Sequence, residues 1–247
     1  MLDGTVVITG AAGGIGGAIA KAFAAQGATL VLVDRDQDGL QAIARSCETA
    51  GAAQCLTFVC DVFQEASVDG LFTDIVAAAG RVDVLVNCSG VISECALADM
   101  SLSEWRRVVT GNLESVFLAC RAVLPIMRRQ GAGRIINIAS QIGQRGAPRF
   151  AHYSAAKAGV IALTKSLARE VAQEGILVNA VAPGPVLTRF NASLDPRTLA
   201  DTASKLPLGR AAQPEEIAGA VLLLASEPGG NVFVGQTLCP NSGDVML

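Results

Sequence analysis

The 247-residue sequence predicts an α/β fold: one doubly wound parallel sheet of about seven strands, with helices layered on both faces. Short apolar, β-branched runs alternate with longer segments of helical periodicity. The strand runs are apolar throughout, the pattern of strands covered on both sides. A composition of 51% hydrophobic and 17% charged residues supplies a large core and excludes a disordered chain.

The elements follow in order. Thr5–Thr9 reads as the first strand, and Gly14–Gln26 as a helix with Ile15, Ile19, Ala22 and Phe23 on one stripe. Thr29–Val33 is the second strand, followed by a helix over Gln37–Ala50. Gln54–Val59 and the helix Glu65–Ala79 make the third unit, and Asp83–Val86 the fourth strand. A long helical stretch covers Ser103–Arg129, with a break expected near Gly111, because Gly111 and Asn112 both disfavour helix interiors. Arg134–Ile138 is a strand, His152–Gln173 a helix with Val160, Leu163, Leu167 and Val171 at helical spacing, and Ile176–Val181 the sixth strand. Pro214–Ala225 is a helix opened by proline, and Gln236–Cys239 a last short strand. The connections are short and no linker appears, so residues 1–247 are expected to form a single unit. Pro183–Gln213 is the exception, with four prolines and weak periodicity. A mobile substrate loop is expected at about 185–213.

Composition narrows the chemistry. A net charge of −3 without long runs of one sign excludes a nucleic-acid surface and a polybasic membrane patch. Seven scattered cysteines with no Cys-x-x-Cys imply neither a disulfide frame nor a zinc site, and no metal is expected. No signal pattern is read at the N-terminus, and a cytoplasmic protein is expected. His152 is the single histidine, so a hydrolase using histidine as base would depend on it, and Gly-x-Ser-x-Gly is absent.

Thr9-Gly10-Ala11-Ala12-Gly13-Gly14-Ile15-Gly16 lies between the first strand and its helix. Glycines there let the backbone approach a pyrophosphate, and the helix N-terminus supplies amide donors and partial positive charge. Gly10, Ala12, Gly13, Gly14, Ile15 and Gly16 are the dinucleotide-binding candidates. Asp34 ends the second strand; an acid there accepts bonds from ribose hydroxyls and repels a 2′-phosphate, so NAD(H) is favoured over NADP(H), although Arg35 follows. Asp61 and Val62 either read an adenine edge or cap a helix, and Asn87, before Ser89 and Gly90, either faces a ligand or ties strands together. Ser140 ends the fifth strand at the ligand edge of the sheet. Tyr153 and Lys157 stand four residues apart, on one face of a helix. A cation beside a phenol lowers the phenol's pKa toward neutrality, where acid–base catalysis works best.

In this order and on these elements, the residues resemble the short-chain dehydrogenase/reductase family in its compact Rossmann-fold form, over about residues 4–243. The quoted motifs are Thr9-Gly10-x-x-x-Gly14-x-Gly16, Asn87-x-x-Gly90, Asn112, Ser140, Tyr153-x-x-x-Lys157 and Pro183-Gly184 with Thr188. The resemblance implies that Tyr153 is the acid–base catalyst, that Lys157 lowers its pKa and holds the nicotinamide ribose, and that Ser140 binds the substrate oxygen. Asn112 is implied to hold a water linking Lys157 to solvent; Pro183, Gly184, Val186 and Thr188 are implied to border the cofactor. Two departures stand out: Asn87-Cys88-Ser89-Gly90 replaces Asn-Asn-Ala-Gly, and Pro240-Asn241-Ser242-Gly243 replaces Val-Asp-Gly-Gly.

Within the family the chain is most similar to the branch of 3-oxoacyl-thioester reductases and secondary-alcohol dehydrogenases, whose biosynthetic members usually use NADPH. Oxidation of a sugar, polyol or cyclic alcohol is the alternative. A non-catalytic NAD-binding sensor is the contrasting class, and the intact Tyr153, Lys157, Ser140 and Asn112 argue against it. By position, Ser93, Gln141, Ile142, Arg149, Gly184, Pro185 and Phe190 wall the substrate pocket. The resemblance implies a small-molecule substrate and a homotetramer or dimer.

Overall fold

A computed structural model describes residues 2–190 and 202–246. Seven parallel strands form one sheet in the order β3-β2-β1-β4-β5-β6-β7. They are β1 (Thr5–Thr9), β2 (Thr29–Asp34), β3 (Gln54–Val59), β4 (Val84–Asn87), β5 (Gly133–Ile138), β6 (Ile176–Val181) and β7 (Thr237–Leu238). The winding reverses between β1 and β4, so the crevice beyond their carboxyl ends is the ligand edge of such a sheet.

Alternation along the strands divides the core. Val7, Val31, Val33, Leu85, Ile135 and Val178 point to one face. There they pack on α3 (Glu65–Ala79), α5 (Ser115–Gln130) and α7 (Ala151–Val171). Val6, Ile8, Leu30, Leu32, Val84, Val86 and Ile136 point to the other, against α1 (Gly14–Ala24), α2 (Gln37–Thr49) and α8 (Pro214–Ala225). The apolar-throughout pattern of the strands is thus the pattern of a three-layer sandwich. α8 begins with Pro214 in its first turn and a capping box between Gln213 and Glu216, which satisfies amide groups the helix cannot bond internally.

The expected break at Gly111 takes a specific form. α4 (Leu102–Val109) runs into a widened π-type turn over Thr110–Glu114, and α5 continues from it. The wide turn absorbs Gly111 and Asn112 without ending the helical path. The combined stretch Leu102–Gln130 has the length and apolarity of a membrane span, but half of its most apolar window is buried in the protein. It is a core helix that covers the sheet. A short α6 (Ile142–Arg145), absent from the sequence reading, follows β5. The expected loop at about 185–213 falls in part on residues 191–201, outside the described residues.

A buried polar row ties the centre of the sheet to α7. Asn87 Nδ2 donates to Asn137 Oδ1 at 2.9 Å, Asn137 Nδ2 donates to Thr164 Oγ1 at 2.9 Å, and the Thr164 hydroxyl donates to the Val160 carbonyl at 2.8 Å. In register, Thr9 pairs with Asn87 and Asn87 with Asn137, so the row sits at the last residue of β4, just under the loop that follows it. Asn87 therefore ties strands and borders neither part of the cleft described below, which corrects its place among the cofactor contacts. Replacing Asn137 with Ala removes two of these bonds in a dry interior, leaving Asn87 Nδ2 only the Cys120 sulfur and taking from Thr164 Oγ1 its donor. The N137A variant is expected to lose about 2–4 kcal/mol of stability, read as a lower urea midpoint with an unchanged m-value.

Candidate active site

The first strand delivers the chain into a turn that only glycine allows. Gly10 has φ +68, and a side chain there would meet the Ser89 amide at 2.8 Å. A Cβ on Gly16 would strike the Gly10 carbonyl oxygen, and one on Gly14 would meet Thr188 Cγ2 at 2.6 Å. α1 thus starts close under the turn, with its first-turn N–H groups lacking helical acceptors. The Thr9 hydroxyl accepts from the Cys88 and Ser89 amides at 3.1 and 3.3 Å, pinning the loop after β4 beside the turn. A bare glycine cradle, amide donors and a helix N-terminus fit a dinucleotide pyrophosphate.

The cleft runs in two directions from this cradle. One arm is bordered by Ala12, Gly13, Asp34, Arg35, Asp36, Asp61 and Val62, beside Ser89 and Gly90. There Asp34 Oδ2 accepts from the Ala12 amide and Oδ1 from the Asp36 amide, both at 3.1 Å, and Asp61 Oδ1 accepts from the Phe63 amide at 3.1 Å. Asp34 thus braces both the glycine turn and its own turn, whereas Asp61 holds an amide two residues on; the N-cap of α3 is Gln64, so Asp61 does not cap that helix. The other arm is bordered by Gly14, Ile15, Gly16, Ser140, Gln141, Ile142, Tyr153, Lys157, Pro183, Gly184, Pro185, Val186, Thr188 and Phe190.

On this second arm Ser140 Oγ accepts from the Ile142 amide at 3.2 Å, which directs the serine at the end of β5 toward the cleft. Tyr153 is 6% exposed, and its ring lies 6.5 Å from that of Phe190. Lys157 Nζ donates to the Ile138 carbonyl at 2.8 Å and lies 5.8 Å from the centre of the Tyr153 ring. Asn112, fully buried on the wide turn, donates through Nδ2 to the Val91 and Val108 carbonyls at 2.7 and 2.8 Å. Its Oδ1 has no partner among the described residues. A Cβ built on Gly90 would meet that Oδ1 at 2.6 Å and Lys157 Nζ at 3.9 Å, so amide oxygen and ammonium flank the same bare α-carbon.

Electrostatics here run differently from the simple pairing expected. Burial raises the Tyr153 phenol above its ordinary value, while its hydrogen bond with Ser140 acts to lower it. Burial also pushes Lys157 down, to about 8, with only the Cys88 thiol acting to raise it. Among the protein's own groups it is Ser140, rather than Lys157, that favours the phenolate.

Two expected pocket walls lie elsewhere. The Ser93 hydroxyl bonds the Glu104 carboxylate and lies 3.1 Å from His152 Nε2. Arg149, with φ +68, points to Glu94 at 2.9 Å and is exposed. Their partners, Glu104 and Glu94, hold both away from the cleft. His152 is fully buried at the start of α7, and burial lowers its pKa, so it packs as a neutral ring. Conversely, Cys88, Ile92, Arg145, Ala147, Phe150 and Thr202 border the cleft and were not singled out from sequence. Arg145 ends the short α6 and Phe150 follows it, and the helix's four residues carry no periodicity to announce it. The atypical Pro240–Gly243 segment closes the cleft from behind: a Cβ on Gly184 would meet Asn241 Cα at 2.8 Å.

Fold and cleft define a dinucleotide-binding α/β oxidoreductase. Residues 10–243 match a family profile described as Enoyl-(Acyl carrier protein) reductase. The chain is 40% identical over 242 residues to a 3-oxoacyl-[acyl-carrier-protein] reductase of Synechocystis sp., covering 98% of this chain and 96% of the relative. It is 39% identical over 241 residues to the enzyme of that name from Escherichia coli, covering 98% and 97%. The crystal structure of levodione reductase superposes with a TM-score of 0.93 at 35% identity, covering 98% of this chain and 97% of that one. The chain belongs to the short-chain dehydrogenase/reductase family.

The expected preference for NAD(H) is overturned. These relatives are reductases of the branch that uses NADPH, the use that Asp34 was read as disfavouring. The physical reason lies in the two backbone amides that occupy Asp34: its carboxylate braces the glycine turn, and an acid so engaged is a poor guide to the ribose it faces.

Lys157 generates a pH signature. With its folded value near 8 against an ordinary 10.5, the native state binds the proton less readily than the unfolded chain. Protonated Lys157 therefore opposes folding below about pH 8, and the penalty fades as pH rises from there toward 10.5. Lys157→Met is expected to gain Tm relative to wild type at pH 7. The difference should narrow between pH 8 and 10, as measured by thermal unfolding of both cofactor-free proteins.

Proposed function

We propose that the protein interconverts a ketone and a secondary alcohol with NAD(P), acting as a reductase of the 3-oxoacyl-thioester type. Its relatives' names and the family support the class of reaction. What carries the assignment of roles is that Ser140, Tyr153 and Lys157 border one wall of a cleft that continues into the glycine turn. A nicotinamide cofactor, when bound, supplies or takes the hydride at the substrate carbon.

In the reducing direction Tyr153 gives its phenolic proton to the carbonyl oxygen as that oxygen gains the electron pair of the C=O bond. In the oxidising direction it takes the hydroxyl proton. Ser140 donates to the same oxygen and steadies the charge that builds there. Lys157 keeps a cation close behind the phenol, and its pKa near 8 lets it pass a proton at neutral pH. The unpartnered Asn112 Oδ1 is suited to accept from the water that would link Lys157 to solvent. Gly10, Ala12, Gly13, Gly14, Ile15 and Gly16 would cradle the pyrophosphate, with Asp34, Arg35, Asp61 and Val62 along the adenosine arm and Ser89, Gly90, Pro183, Gly184, Val186 and Thr188 along the nicotinamide arm. Gln141, Ile142, Pro185 and Phe190 would wall the substrate side.

Residues 1–247 would work as one unit, in the cytoplasm, with the segment at about 185–213 closing over substrate. A homotetramer is the proposed assembly. Exposed Phe117 on α5, Leu223 on α8, and Val232 and Val234 beside the edge strand β7 supply apolar surface for it. Sedimentation velocity is expected to give a species larger than the 25.3 kDa chain, and a lone monomer would refute it.

Absorbance at 340 nm, with either cofactor, is expected to report turnover of 3-oxoacyl thioesters. Tyr153→Phe is expected to lower kcat by about 10³-fold or more while cofactor affinity, read by fluorescence titration, changes little. Retention of a tenth of wild-type turnover would remove Tyr153 from the acid–base role.

A further inference from the structure

His152 stands immediately before Tyr153 and is fully buried, yet the chemistry assigned to Tyr153, Ser140 and Lys157 makes no use of it. Its Nε2 lies 3.1 Å from Ser93 Oγ, and the Ser93 hydroxyl bonds Glu104. Glu104 is in turn gripped by Arg107, whose Nε and Nη2 donate to its two oxygens at 2.9 and 2.7 Å. That grip and the Ser93 bond hold the Glu104 carboxyl down at about 2, so at neutral pH it can only accept. The single Ser93 hydroxyl proton therefore goes to Glu104, and the Ser93 oxygen is left to accept from an N–H at Nε2. The bonds thus run in one direction, from His152 through Ser93 to Glu104. Ser93 itself belongs to a strap tied on either side of it. The Val91 carbonyl accepts from Asn112 Nδ2 at 2.7 Å, and the Cys95 amide donates to the Arg149 carbonyl at 2.9 Å.

What these bonds secure is the start of α7. Tyr153 sits in the first turn, at a helix end with two weaknesses. The N-cap is Phe150, which has no side-chain acceptor for the turn's free amides, and no acid follows to meet the helix dipole. Such an end frays readily. The missing restraint comes from α4. Glu104 anchors the bonds that reach His152, and Val108, one turn further along the same helix, packs with Tyr153 and Phe150 in an apolar cluster. We infer that Ser93, Glu104 and His152 form a clamp that positions Tyr153: the clamp pins the uncapped turn of α7 to α4 and so fixes where the phenol stands. This rests on the acid–base role proposed above for Tyr153 and adds the residues that aim it. A reacting group misplaced by about 1 Å loses on the order of a hundredfold in rate, so the clamp acts on kcat and leaves cofactor binding alone.

Two measurements test the clamp. Tyr153 is the chain's single tyrosine, so isotope-labelled tyrosine gives NMR signals from that ring alone. Wild type is expected to show one narrow set. In His152→Phe, which keeps an apolar ring but loses the Nε2 donor, the set is expected to broaden or split. His152→Gln, whose amide can put an N–H where Nε2 stood, is expected to restore it. Turnover of a 3-oxoacyl thioester is read alongside. His152→Phe is expected to lower kcat about tenfold or more with KM for the cofactor little changed, and His152→Gln to recover most of that loss. Ser93→Ala combined with His152→Phe is expected to lose no more than the worse single change, because one clamp can be broken only once. A wild-type kcat or an unaltered NMR set in His152→Phe overturns the proposal. So do equal losses in the two His152 variants, and so do losses that multiply in the double variant. If neither His152 variant folds, as read by thermal unfolding, Ser93→Ala alone decides by the same two measurements. If the wild type turns over no ketone with either cofactor, the ketone-reductase reading fails, and the NMR comparison still decides whether the clamp holds Tyr153.

Discussion

The parallel register of β1, β4 and β5 is the constraint on which the cleft depends. Thr9 pairs with Asn87 and Asn87 with Asn137, so β1 and β4 end level and β5 runs one residue past them at the same edge. The Asn87–Asn137–Thr164 row locks that level to α7 by hydrogen bonds in a region sealed from water. Buried bonds of this kind penalise any slip, because a shifted strand would leave amides unpaired in the core. Tyr153 and Lys157 lie on the same helix as Thr164, and Ser140 lies two residues beyond β5. Their convergence is therefore a product of strand register as much as of helix spacing.

The pairing of Tyr153 with Lys157 acquires a different meaning once burial is counted. From spacing alone, the ammonium is a charge that acidifies the phenol. Inside the protein both groups are desolvated, and desolvation moves each toward its neutral form. The lysine is anchored to a main-chain carbonyl, and the phenol is eased toward ionisation by a serine hydroxyl. Readiness for proton transfer is thus shared among three side chains from two elements.

Much of this was legible in the sequence, for identifiable reasons. Strands buried on both faces write themselves as unbroken apolar runs, and β1, β3 and β6 fall at the expected residues. Glycines forced by close backbone approach, at Gly10, Gly14 and Gly16, signal their turn. The wide turn at Asn112 was foreshadowed by two poor helix formers, although composition does not say that the helix continues beyond them. What escaped was decided by partners distant along the chain. Ser93 and Arg149 sit at plausible pocket positions until Glu104 and Glu94 claim them. Asp34 has the position of a ribose reader, but its oxygens already hold the loop amides. α6, four residues long, is too short to leave a periodic trace.

Cys88 lines the floor of both arms of the cleft, where burial pushes its thiol up to about 12 despite the nearby Lys157. Peroxide and alkylating electrophiles attack the thiolate, and at neutral pH only about one such thiol in 10⁵ is ionised. The sulfur is chemically quiet as a result. The family position that departs most visibly from Asn-Asn-Ala-Gly therefore gives the protein bulk and polarisability next to its coenzyme cradle without making it vulnerable to oxidants.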